Sequence, residues 1–156
     1  MKEIRTWKKV LLSDLPSLAI EMKDLLKKPA ALFLTGPVGA GKTSLTQTFV
    51  KQVSPLKKEL DVTSPTYSLV NEIGNIIHAD FYRLGDEEEI IHLELPLYIE
   101  DKDFIFIEWG KSYFSKLSRE LPISFHYYEM VLEINDSNNC ENSSRNYTLY
   151  DLTDEI

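Results

Sequence analysis

Residues Gly36-Pro37-Val38-Gly39-Ala40-Gly41-Lys42-Thr43 satisfy the pattern G-x-x-x-x-G-K-[ST] at every specified position. The spacing has a chemical reason. A loop that wraps a polyphosphate must bring backbone N–H groups against its oxygens, and a Cβ at the glycines obstructs that approach. An ammonium at position 42 neutralises the outer phosphates, and a hydroxyl at position 43 is a ligand for Mg²⁺. A helix that begins where the loop ends points its positive N-terminal dipole at the same charges. Gly36, Val38, Gly39, Ala40, Gly41, Lys42, Thr43 and Ser44 are therefore candidate cofactor-binding residues. At average residue usage the pattern arises in well under about one per cent of chains of this length.

Such a loop needs an acid to help hold the cation, at the end of a neighbouring buried strand. Ile105-Phe106-Ile107-Glu108 has that form, and Asp80 ends the run Ile76-Ile77-His78-Ala79. Glu108 is the better metal ligand, because its run is the more apolar. Asp80 is the candidate for orienting water. His78 and Asp80 lie two apart, so on a strand they share a face. Taken alone, each acid could also cap a nearby helix, and His78 could be a structural histidine.

These residues need elements to carry them. Ala30 to Thr35 is a short apolar run, as expected of a strand buried on both faces. Leu45, Phe49 and Val53 mark one face of the helix after the glycines. Residues 13–28 predict an amphipathic helix, with Ser13 or Asp14 as its cap and Leu15, Leu18, Met22, Leu25 and Leu26 at helical spacing. Tyr67 to Ile73 and Ile76 to Phe81 read as strands joined at Gly74-Asn75, a pair suited to a tight hairpin turn. Asp86 to Leu93 reads as a short acidic helix, Asp103 to Glu108 as a strand and Ser112 to Arg119 as a helix. Ser124 to Ile134 and Arg145 to Leu152 read as two further strands around the polar loop Asn135 to Ser144. No element is assigned to the basic stretch Met1 to Leu12. Strands alternating with helices predict a single α/β domain over 1–156, a P-loop NTPase-like sandwich whose central sheet is mainly parallel with antiparallel additions.

The 156 residues are 43% hydrophobic and 27% charged, which excludes a disordered chain. Seventeen bases against twenty-five acids give a net charge of -8, which argues against a protein that grips nucleic acid through its own field. One cysteine, Cys140, makes no internal disulfide and suits a reducing compartment. No apolar run approaches the ~20 residues that span a bilayer, and no signal sequence is seen, so a cytoplasmic protein without a membrane partner is expected.

Guanine-specific Asn-Lys-x-Asp and Thr-Lys-x-Asp tetrapeptides do not occur, which argues against a GTPase. Arg5, Arg83, Arg119 and Arg145 are spread too widely for the arginine clamp of a small-molecule kinase. Beyond the loop, Ser64-Pro65-Thr66-Tyr67, then His78-Ala79-Asp80-Phe81-Tyr82-Arg83-Leu84, then Glu108-Trp109-Gly110 follow in order. Over roughly residues 13–111 the chain resembles the bacterial TsaE (YjeE) family of small P-loop ATPases required for threonylcarbamoylation of adenosine in tRNA.

The resemblance implies ATP and Mg²⁺ as cofactors, with Thr43 and Glu108 holding the metal and Lys42 the phosphates. It implies catalytic roles for Lys42, Asp80, Glu108 and Thr66, the last in a switch-like loop near the γ-phosphate. Ser17 takes the place of a family threonine on the adenine side, although an exposed or capping serine is an equal reading. Trp109 suits core packing as well as a site. TsaB- and TsaD-type proteins are the implied partners, tRNA being reached through them, with hydrolysis weak in their absence. A nucleotide-dependent binding subunit with negligible hydrolysis and a small-molecule phosphotransferase are the alternatives. Pro37-Val38 replaces the usual Asp-Leu, removing one N–H, and Lys111 stands where an acid is common.

Overall fold

Among the described residues, the apolar run at 30–35 becomes the middle of a seven-stranded sheet. The computed structural model describes residues 1–54, 69–135 and 143–156. In chain order the elements are β1 (Lys2–Val10), α1 (Leu15–Leu25), β2 (Ala30–Thr35), α2 (Lys42–Val53), β3 (Val70–Ile73), β4 (Ile76–Asp80), α3 (Glu89–His92), β5 (Phe104–Glu108), α4 (Phe114–Glu120), β6 (His126–Ile134) and β7 (Arg145–Asp151). The sheet order is β1-β7-β6-β2-β5-β4-β3. The pairs β6–β2, β2–β5 and β5–β4 are parallel, whereas β1–β7, β7–β6 and β4–β3 are antiparallel. A parallel centre with antiparallel additions on both flanks is thus present, in an α/β arrangement with mixed strand directions.

Alternation along the central strands separates two cores. Leu32, Leu34, Phe104 and Phe106 pack with α1 and α2 through Leu15, Leu18, Met22, Leu45 and Phe49. Ala31, Phe33, Ile105 and Ile107 pack with Ile90, Leu117 and Leu121. Phe49 meets Phe104 edge-on at 5.0 Å and Phe106 at 4.9 Å between ring centroids. Each ring so buried contributes about 1.5–3 kcal/mol relative to exposure. These contacts seat α2 against β5 and thereby fix Lys42 of the glycine loop over the strand that ends in Glu108.

Several expectations shift at their ends. The first helix ends at Leu25 rather than 28, and Leu25 is exposed. Asp14 is its N-cap residue, but the carboxylate accepts from Leu11 N–H in the preceding turn and caps no helical N–H. Residues 111–113 form a 3-10 turn ahead of α4. The stretch Met1 to Leu12, given no element from sequence, contains β1, paired with β7 from Lys2↔Asp151 to Val10↔Arg145. Residues 67 and 68 of the expected strand, together with Thr66 and Cys140, lie outside the described residues.

Candidate functional site

Three parallel strands deliver their C-terminal ends to one place. β2 runs into the glycine loop, β4 ends at Asp80 and β5 ends at Glu108. Register places His78 opposite Phe106 and Asp80 opposite Glu108. Strand alternation puts all four on the face that carries α2. The same-face relation of His78 and Asp80 expected from their spacing is what the strand displays.

The loop is shaped by its glycines. Gly41 precedes α2 at φ +95, a conformation that a Cβ strains. At Gly36 an added Cβ would lie 2.7 Å from the Leu132 carbonyl oxygen on β6, so the chain can leave the sheet there only without a side chain. Lys42 opens α2 and its ammonium donates back to the carbonyls of Gly36, at 2.8 Å, and Pro37, at 2.9 Å. Pro37 has no N–H, but its carbonyl serves twice, since Ala40 N–H also donates to it. The ammonium sits 4.4 Å from the Trp109 ring centroid. Only 5% of Lys42 is exposed. Burial holds its pKa below the usual lysine range, opposed by the negative charges of Glu108 and Asp80.

Thr43 Oγ1 donates to the Glu108 carboxylate, 3.2 Å from Oε1 and 3.0 Å from Oε2. Nε2 of His78 lies 2.5 Å from Glu108 Oε2. Asp80 is half-buried and accepts the Tyr82 N–H at 3.0 Å. Trp109 takes φ +58, a conformation that costs a non-glycine residue about 1–3 kcal/mol. That turn leaves the indole on the cavity wall beside Tyr82, with ring centroids 5.1 Å apart. The cavity, about 440 Å³, is lined by the loop residues Val38, Gly39, Gly41, Lys42, Thr43 and Ser44 and closed by Asp80, Tyr82, Glu108 and Trp109. A basic group, a hydroxyl and two carboxylates thus converge on backbone N–H groups at a helix start, an arrangement able to bind a polyphosphate and a hard cation.

Not every expected site residue joins it. Ala40 is buried behind the loop. Ser17 is exposed on α1 and lines neither the loop cavity nor the cavity beside it. Lys111 does not line the loop cavity. It pairs with buried Glu129 at 2.9 Å, and Glu129 accepts from Thr35 Oγ1 at 2.8 Å. Arg145 had no role in the sequence beyond its place among scattered arginines. At the start of β7 it donates to the carbonyls of Ala40 at 3.0 Å, Gly39 at 3.2 Å and Ser143 at 2.5 Å. It braces the loop from outside. No local pattern announces that brace, which depends on β7 lying one strand beyond β6.

The sequence model of the family described as "Threonylcarbamoyl adenosine biosynthesis protein TsaE" matches residues 12–143. The chain belongs to the TsaE family. Among the relatives of this TsaE-family chain, a protein of Haemophilus influenzae is 32% identical over 108 residues, covering 66% of each chain. One of Nostoc is 33% identical over 114 residues, covering 66% of this chain and 68% of the relative. One of Bacillus subtilis is 28% identical over 124 residues, covering 77% and 75%. Each carries the name "tRNA threonylcarbamoyladenosine biosynthesis protein TsaE". The chain spans just under two thirds of the length of the Haemophilus relative. Among the described residues of this TsaE-family member, no helix is long and apolar enough to cross a membrane.

Proposed function

We propose that this chain is a P-loop NTPase-like, Mg²⁺-dependent ATP hydrolase of the cytoplasm that serves threonylcarbamoylation of adenosine in tRNA. The observation that carries the reading is the Thr43–Glu108 hydrogen bond beneath a phosphate loop whose lysine lies in the same cavity. The names borne by relatives from three diverse bacteria supply the process.

The donor set fits magnesium. A hydroxyl and a carboxylate are hard oxygen ligands, and Mg²⁺ characteristically takes one or two protein ligands together with phosphate oxygens and water. Thr43 and Glu108 would hold it, and it would supply charge neutralisation of the outer phosphates. The backbone of residues 36–41 cradles those phosphates. Lys42 exchanges the Gly36 and Pro37 carbonyls for phosphate oxygens, and Asp80 orients the attacking water. Hydrolysis consumes that water and yields ADP and inorganic phosphate. Thr66 belongs to the reading as a residue near the γ-phosphate by family resemblance. The adenine would face the second cavity, which is lined by Val10, Leu12, Leu15 and Tyr147 and shares Gly39, Gly41 and Ser44 with the first.

Partners are TsaB- and TsaD-type proteins, through which the chain reaches tRNA. Steady-state phosphate release, measured alone and with those partners, tests the reading. Release that appears or rises sharply in the complex supports it. Tight ATP binding with no release in either setting identifies a nucleotide-dependent binding subunit instead, and phosphate transferred to an added small acceptor identifies a phosphotransferase.

A further inference from the structure

His78 has no part in the chemistry proposed above. It is nevertheless wholly buried, at 0% exposure, in the strand that ends in Asp80. Its two ring nitrogens live in opposite circumstances. Nε2 is 2.5 Å from a carboxylate oxygen of Glu108, while Nδ1 has no hydrogen-bond partner among the described residues. A proton on Nδ1 would be an unsatisfied buried donor, and a bare Nε2 would set its lone pair against the carboxylate. Both costs disappear in one arrangement, with the single ring proton on Nε2 and donated to Glu108.

That donation has a consequence for Glu108, itself only 4% exposed. Thr43 Oγ1 reaches both carboxylate oxygens, at 3.2 and 3.0 Å, which alone leaves the group free to rotate about its own axis. His78 adds a second, shorter bond from a different strand and to Oε2 only. Two donors in fixed directions determine the carboxylate plane and leave Oε1 as the less engaged oxygen. We propose that His78 is a positioning residue, which sets the orientation and acceptor inventory of Glu108 so that the Thr43–Glu108 pair presents a preformed cation site. The imidazole touches neither nucleotide nor reacting atoms in this scheme. Groups that hold a metal's ligand in place typically govern its affinity by 10–100-fold. The proposal rests on Glu108 being a metal ligand as argued under Proposed function.

The test uses the full chain and two substitutions. In nucleotide-free wild-type protein, a long-range ¹H–¹⁵N spectrum should show one of the three histidine rings as the Nε2–H tautomer, its signals lost in His78→Gln. An Nδ1–H ring at position 78 would overturn the proposal, whatever the protein does with ATP. The Mg²⁺ concentration at half-maximal ATP binding is then titrated by calorimetry with MgCl₂ as the probe. His78→Leu should raise that midpoint about tenfold or more while metal-free ATP affinity stays within about twofold. His78→Gln, whose amide nitrogen restores a donor near the place of Nε2, should stay within about threefold of wild type. Equal midpoints for wild type and His78→Leu would refute positioning, as would a Gln variant no better than a folded Leu variant. If His78→Leu does not fold, the tautomer and the Gln midpoint decide. Wild-type protein that binds no ATP would instead refute the functional reading, with the tautomer still deciding the Nε2–H···Glu108 donation.

Discussion

The ammonium of Lys42 stands 4.4 Å from the centroid of the Trp109 indole, held by the carbonyls of Gly36 and Pro37. The lysine is therefore satisfied before any phosphate arrives, by partners that phosphate oxygens can replace. A cation over an indole face is attracted by about 0.5–2 kcal/mol, more when desolvated. The strained backbone at Trp109 is what brings the ring there.

Replacing Lys42 with alanine should weaken ATP binding at least about tenfold, or ~1.4 kcal/mol, while the far-ultraviolet spectrum stays native. Lys42 also makes binding proton-linked. Its pKa in the nucleotide-free chain lies below the usual lysine range because of burial, and phosphate charge raises it again. ATP binding should therefore take up protons in the alkaline window between the lowered value and the usual lysine range. In that window the unfolded chain binds more protons than the folded one, so the Lys42 contribution to stability rises with pH. Calorimetry across the alkaline range in buffers of different ionisation enthalpy measures the uptake, and Lys42→Met should abolish it.

Glu108→Gln should impair Mg²⁺-dependent binding and hydrolysis more than metal-free ATP binding. The amide keeps the shape but loses the charge that a divalent cation needs. Asp80→Asn should leave the Mg²⁺ midpoint close to wild type and lower turnover. Loss of metal dependence in Asp80→Asn but not in Glu108→Gln would exchange the two assignments.

Arg145→Ala removes the guanidinium from the Gly39, Ala40 and Ser143 carbonyls. Hydrogen bonds to a charged group are worth about 1.5–3 kcal/mol, so thermal melting should fall by several degrees and ATP affinity should drop with it. Arg145→Lys should recover little of either, because an ammonium lacks the planar fork that spans separate acceptors. Unchanged melting and affinity in Arg145→Ala would show that the loop needs no brace.

Bare tRNA should bind this chain weakly, with dissociation constants in the micromolar range or above and a steep loss as salt rises. The net charge of -8 repels the phosphate backbone. Filter binding near physiological salt measures it, and an affinity of ~10⁻⁸ M or tighter would remove the need for a protein partner to deliver tRNA.

The parts of the site written in short segments were legible from sequence. The loop, the strand Ala30–Thr35 and the carboxylate ending Ile105-Phe106-Ile107 follow from composition and alternation, and the described strands lie where these patterns put them. What escaped depends on pairing across long separations. Alternation along β1 is broken by register shifts between Glu3 and Arg5 and between Trp7 and Val10, so its buried positions, Trp7 and Val10, lie three apart and disguise a strand. Arg145 reaches the loop, and Glu129 reaches Thr35 at the end of β2, only because β6 and β7 lie beyond β2 in the sheet order. His78 was visible, but its bond to Glu108 needs the β4–β5 register. Ser17, placed by analogy of position, stands exposed away from both cavities.

The pairing of Lys2 with Asp151 also sets a timetable. β1 is synthesised well before β7, its neighbour in the sheet. At ~5–20 residues per second, about 7–30 s separate the appearance of the two on a ribosome. Through that interval the nascent strand exposes unmatched N–H and C=O groups, the usual invitation to associate with another molecule. Lys2, Arg5, Lys8 and Lys9 are all exposed in the finished fold, and during the wait their charge guards the strand against premature partners.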